Sequence, residues 1–220
     1  MSSAFRPCLA VLTAALLLSP CTLAFDTPLS DTAIRDAYFL GQRRDDTMTR
    51  FLNRYTKFPD APDSGPQIYS VTFLTPYALV VQQSSQRLNY SAQQAEKEHD
   101  PDNEVVAITV EILLTASYPA TIAKPTGSRS GAAIGFQLRN PDFWKDFKYS
   151  VFDDEKEFKV DDLTGEPTYT CDNYGGCTLI GAKVHFQLPA KFFTSDSATV
   201  EINPKVADPT DVDFDLTEFR

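Results

Sequence analysis

Two imidazoles, His99 and His185, are the natural general bases of this chain, and neither sits in a catalytic spacing. His185 alternates with Val184, Phe186 and Leu188, which puts it with Lys183 and Gln187 on the polar face of a strand. His99 lies among Glu96, Glu98, Asp100 and Asp102, a solvated loop whose carboxylates favour the charged ring. No Gly-x-Ser-x-Gly turn offers a serine nucleophile. Metal chemistry has no better footing, because His-Glu-x-x-His and the EF-hand loop are both missing. Acidic groups do cluster, at Asp100 and Asp102, Asp153 to Glu155, Asp161 and Asp162, and Asp208 to Asp215. Calcium takes roughly six to eight oxygens from converging loops. Asp211, Asp213 and Asp215 instead stand about 6.6 Å apart on one strand face, which reads as a solvated edge that discourages strand pairing. No catalytic residue, metal or cofactor is therefore assigned. A pair of glycosidase carboxylates is a three-dimensional feature, and choosing two among 30 Asp and Glu would be arbitrary.

Binding chemistry has more to work with. Asn140-Pro141-Asp142 opens a turn that carries Phe143 and Trp144, the single tryptophan, and Tyr174 sits between two clusters of turn formers. If exposed, these rings could stack on sugars or anchor a protein; the bland alternative is that Trp144 and Phe147 plug one end of the core while Phe143 covers a loop. Cys171 and Cys177 flank Asp172-Asn173-Tyr174-Gly175-Gly176 and are expected to bridge a hairpin tip. Arg50, Arg54 and Lys57 fall within roughly 60° of one another on a helical wheel. They would form a basic stripe suited to an anionic contact, with Met48, Phe51, Leu52 and Tyr55 on the other side.

These groups need elements to hold them, and hydrophobic spacing supplies the outline. Residues 1 to 24 have the form of an export signal: Arg6, an apolar run from Leu9 to Leu18, and Thr22-Leu23-Ala24 as the cleavage site. Cleavage near Ala24 would remove Cys8 and Cys21 and leave one cysteine pair for an oxidising compartment, periplasmic or extracellular. No later stretch reads as a transmembrane segment. Residues 25 to 58 carry a helical period broken at Gly41, which predicts two helices or one kinked one. Three prolines make 59 to 66 a linker.

From Gln67 to the end the period is two. Val71 and Phe73, and then Tyr77, Leu79 and Val81 after Pro76, read as an edge or bulged strand. The clearest strand is 104 to 118, with Val106, Ile108, Val110, Ile112 and Leu114 on one face and a bend expected within it. Further strands are predicted near 134–138, 147–152, 157–160, 168–171, 178–188, 198–202 and 212–216, with turns at 153–154, 164–165 and 175–176. Ser91 and Gln94 have capping-box spacing for one intervening helix over 91 to 98. Residues 67 to 220 thus predict a mainly β fold, an antiparallel β-sandwich of immunoglobulin or jelly-roll outline, behind an N-terminal helical segment.

Twenty basic against 30 acidic residues argue against nucleic acid as a partner. The expected role is a non-catalytic binding module of the envelope or extracellular space, for a protein or a glycan. The alternatives are a secreted hydrolase with unidentified carboxylates, and an assembly subunit that docks through its N-terminal helices. The oligomeric state stays open.

Overall fold

A computed structural model describes residues 24–43, 45–126, 133–160 and 162–220. The export-signal reading, with Cys8 and Cys21, falls outside this set, as does Asp161. Helix α1 (Asp31–Gly41) starts at Ser30, whose hydroxyl accepts the Ala33 N–H at 3.2 Å. Helix α2 (Asp46–Asn53) starts at Asp45, whose carboxylate accepts from Thr47 N at 2.9 Å. The break after Gly41 therefore yields two separately capped helices.

The chain then forms β1 (Thr56–Lys57), crosses the proline-rich stretch and enters β2 (Gln67–Leu74). The strand expected after Pro76 is instead helix α3 (Pro76–Gln86). Pro76 occupies the first helical turn, where its missing N–H costs nothing, and Thr75 caps that turn. Its buried positions Tyr77, Ala78, Val81 and Ser84 are spaced by three and four; Tyr77 and Val81 pack with α1, and Ala78 joins the main core. The two helices approach so closely that a Cβ on Gly41 would lie 2.3 Å from the Val81 carbonyl oxygen. Helix α4 (Ala92–Glu98) has both bonds of the predicted Ser91–Gln94 capping box.

The strands that follow are β3 (Val105–Leu113), β4 (Thr121–Thr126), β5 (Ala133–Leu138), β6 (Lys148–Asp153), β7 (Lys156–Lys159), β8 (Thr164–Cys171), β9 (Cys177–Pro189), β10 (Ser197–Asn203) and β11 (Thr210–Asp215). They build a five-stranded sheet, β1-β2-β3-β9-β8, and a four-stranded sheet, β11-β10-β6-β7, with β4 and β5 paired only with each other. Every pairing is antiparallel. Inward residues of the two large sheets share one core, where Phe73 of β2 meets Phe214 of β11 with ring centroids 5.2 Å apart. The fold is the mainly β, sandwich-like arrangement expected.

Val106, Ile108, Val110 and Ile112 are fully buried, and Leu114 is half-buried beyond the end of β3. The predicted fifteen-residue strand therefore stops at Leu113, and the chain bends away toward Tyr118. The turn expected at Thr164-Gly165 is part of β8. Gly165 is required there because Trp144 lies on its backbone: a Cβ would fall 2.6 Å from the indole ring.

Candidate functional site

Antiparallel register alone carries one polar row across all five strands of the larger sheet. Thr56 pairs with Thr72, Thr72 with Thr109, Thr109 with His185, and His185 with Thr164. Successive side chains of a strand point to opposite faces. Val110 and Val184, one step along β3 and β9, face the core, so this row faces outward. Thr56 and Thr72 hydroxyls are 2.9 Å apart, and Thr109 Oγ1 is 3.0 Å from His185 Nδ1. The next outward row runs Ser70, Glu111, Lys183, Glu166. Ser70 donates to Glu111 Oε2 at 3.4 Å, and Lys183 Nζ lies 4.0 Å from Glu111 Oε1. The predicted surface placement of His185 beside Lys183 holds.

Two aromatic rings stand at the β1–β2 side of these rows. A bulge between Ile68 and Ser70 turns Tyr69 outward, and Phe58 leaves the end of β1 toward the prolines. They are 43 % and 65 % exposed, and their rings meet edge to face at 5.7 Å. Gln82 of α3 closes one end. Phe58, Tyr69, Thr72, Thr109, Lys183 and His185 line a shallow hollow of about 470 Å³, within the usual size of a small-ligand site. It joins hydrogen-bonding groups of both kinds, a cation, a carboxyl group and an aromatic wall. A larger hollow of about 570 Å³ lies between residues 24–30 and Phe219–Arg220, but its rings, Phe25 and Phe219, are buried.

The residues singled out from sequence lie elsewhere. Phe143 and Trp144 are each 2 % exposed, so the binding-platform expectation fails for both. They sit in a one-turn 3-10 helix (Phe143–Asp146) that packs Trp144 against Gly165 and Phe143 against Tyr118 and Phe147. Burial pushes the nearby Tyr149 phenol well above its ordinary pKa, and its hydroxyl donates to the Trp144 carbonyl at 3.2 Å. Tyr174 is 98 % exposed at the tip of the β8–β9 hairpin. There the Cys171–Cys177 disulfide is formed, and Asp172 accepts the Tyr174 and Gly176 N–H groups at 2.9 and 2.8 Å.

The basic stripe is only partly assembled. Arg50 and Arg54 are exposed along α2 and its cap, with the Arg54 guanidinium 5.3 Å from the Phe51 ring centre. Lys57 is exposed but belongs to β1, because the helix ends at Asn53, so the helical wheel does not place it. The predicted acidic edge is present: Asp211, Asp213 and Asp215 point outward from β11, an edge strand. Among the described residues, no group of three or more His, Cys, Asp or Glu could hold a metal ion.

His99 is not in a solvated loop. Its side chain is 11 % exposed, and Nε2 lies 2.8 Å from Oε1 of Glu104, whose side chain is 3 % exposed. Glu104 also accepts the Leu29 N–H at 2.6 Å and the Thr27 hydroxyl, tying the segment before α1 to the start of β3. Charge counting pointed to the four carboxylates beside His99 in sequence and passed over Glu104, which had read as the first residue of a strand. Phe58 and Tyr69 were also missed. Their only sequence signal is a tyrosine that breaks the alternation before Val71. The chain matches no protein-family model, and comparison with curated proteins returns no relative.

Proposed function

We propose that the protein is an exported, non-catalytic binding module that holds a glycan on the outer face of its five-stranded sheet. One observation carries this reading: the Phe58–Tyr69 wall stands beside a row of Thr56, Thr72, Thr109 and His185 that no other element covers completely among the described residues. A sugar ring offers an apolar C–H face to aromatic groups and hydroxyls to polar ones, and this surface presents both side by side. A protein partner would draw on a larger apolar centre than these two rings give. Export is supported by the disulfide and by the leader-like residues 1 to 24. Among the described residues, no helix is long and apolar enough to cross a membrane.

The test is calorimetric titration with soluble oligosaccharides of bacterial and plant cell walls. Tyr69→Ala and Phe58→Ala should each weaken binding about tenfold or more, at the scale of one aromatic contact of 1.4 kcal/mol. Unfolding free energies should stay within about 0.5 kcal/mol of the parent, as for surface changes. Affinity equal to the parent's in both variants would refute the site.

A further inference from the structure

Sheet register gives the outward row a length and a pitch as well as a composition. Thr56, Thr72, Thr109, His185 and Thr164 stand one per strand from β1 to β8, the two edges of the five-stranded sheet. Adjacent strands lie about 4.8 Å apart, so four steps make a row about 19 Å long. Gln82 of α3, the helix that follows β2, flanks the row on one side, and Glu111 and Lys183 flank it on the other. The row is thus the floor of a shallow trough that crosses the strands, with the Phe58–Tyr69 pair beside its β1–β2 end.

Such a floor suits a chain of rings better than a single one. An extended β-1,4-linked pyranose chain advances per ring by nearly the spacing of strands, so one ring can lie over each strand. Successive rings of that chain are turned over and offer opposite edges. A hydroxyl both donates and accepts, so the threonines of the row can meet either edge. Charge narrows the sugars further. Lys183 has Glu111 beside it at 4.0 Å and Glu166 opposite it in register. One lysine against two carboxylates leaves the flank acidic, on a chain whose net charge is −10. A uronic acid would bring its carboxylate against that field, whereas an uncharged sugar can donate to the carboxylates and accept from the lysine.

We propose that the trough holds a linear, uncharged β-1,4-linked glycan laid across the strands. The bound stretch is about four or five rings, one over each strand. Its aromatic contact is at the β1–β2 end, and its last ring lies over Thr164. This rests on the glycan reading and adds length, linkage and charge to it.

The test is calorimetric titration of the full protein with oligosaccharide ladders, from disaccharide to hexasaccharide, of cellulose, β-mannan, xylan and chitin. In at least one ladder the dissociation constant should fall about tenfold or more from disaccharide to pentasaccharide, a gain of about 1.4 kcal/mol. The hexasaccharide should add less than about threefold, because the row has ended. Maltopentaose, whose α-1,4 linkages coil the chain, should bind about tenfold more weakly than that pentasaccharide, as should a β-1,4 mannuronic acid pentamer. Thr164→Val keeps the branched shape at an exposed position. It should weaken the pentasaccharide about threefold and leave the disaccharide unchanged, at the scale of one hydrogen bond, whereas Tyr69→Ala should weaken both. Binding that Tyr69→Ala abolishes but that does not depend on length keeps a glycan site and overturns the extended chain. Equal affinity for maltopentaose or for the uronic acid pentamer overturns the linkage or the charge, and a Thr164→Val variant that treats all lengths alike overturns the placement. No binding in any ladder overturns the glycan reading itself.

Discussion

Strand β3 meets two environments along one backbone. On one side Val106, Ile108, Val110 and Ile112 are fully buried against the opposing sheet. On the other, Thr109 and Glu111 join His185 and Lys183 in a surface that no second layer closes among the described residues. The same alternation thus separates the packed core from the proposed binding surface by a single step in sequence. Changes inward should cost folding free energy, whereas changes outward should leave folding nearly intact and alter what the surface holds. Glu104 and Glu111 repeat the contrast among carboxyl groups. The first is enclosed by His99, Leu29 and Thr27, and the second is held loosely by Ser70 and Lys183 at the surface.

That contrast can be broken by mutation. Glu104→Ala leaves the His99 ring, the Thr27 hydroxyl and the Leu29 N–H without their acceptor, so about 3 to 5 kcal/mol should be lost in chemical denaturation. Glu111→Ala should cost under about 1 kcal/mol, as for exposed pairs. Ile112→Ala opens a cavity in the shared core and should cost about 2 to 5 kcal/mol. Thr109→Ala on the opposite face should cost about 1 kcal/mol, the scale of one hydrogen bond. Similar losses for Ile112→Ala and Thr109→Ala would mean that the two faces are not differently engaged.

The covalent tie at the far end of β8 and β9 contributes less. Replacing Cys171 and Cys177 with Ser should cost roughly 2 to 2.5 kcal/mol from loop entropy, and should leave glycan affinity unchanged because the tip is separate from the sheet surface. Smaller still is the acid response. Hydrogen bonds from Asn103 hold the Asp100 carboxyl below its usual range, and hydrogen bonds from Thr217 do the same for Asp215. A folded-state value below the unfolded one gives stability above the unfolded pKa, near pH 4, that is lost as pH falls through the folded value. Asp100→Asn and Asp215→Asn should therefore flatten the acid limb of a stability curve by lowering the plateau above about pH 4, the difference from the parent vanishing as pH falls below the folded values. Arg50→Gln with Arg54→Gln should shift stability by no more than about 0.5 kcal/mol.

What could be read from sequence follows the same division. The inner face of β3 was legible because its alternation is unbroken, and the hairpin bridge because turn formers sit between two cysteines. Pro76 misled, since proline suits both an edge strand and the first turn of a helix; only Thr75 and the spacing of Tyr77, Ala78 and Val81 decide between them. Strand β4 has little alternation of its own and takes its form from pairing with β5. Trp144 read as a plug sooner than as a platform, and Gly165 supplies the space it fills. The outward row of the five-stranded sheet was not legible at all. Thr56, Thr72, Thr109, His185 and Thr164 are far apart in sequence, and only sheet register brings them into one row.

The most direct measurement of the central claim is a set of two-dimensional amide NMR spectra recorded during titration with cell-wall oligosaccharides. Perturbations should concentrate at Phe58, Tyr69, Thr72, Thr109 and His185, with the inward residues Val110 and Val184 and the Tyr174 tip unmoved. Perturbations centred on Tyr174, or no perturbation of the sheet surface by any oligosaccharide tested, would contradict it.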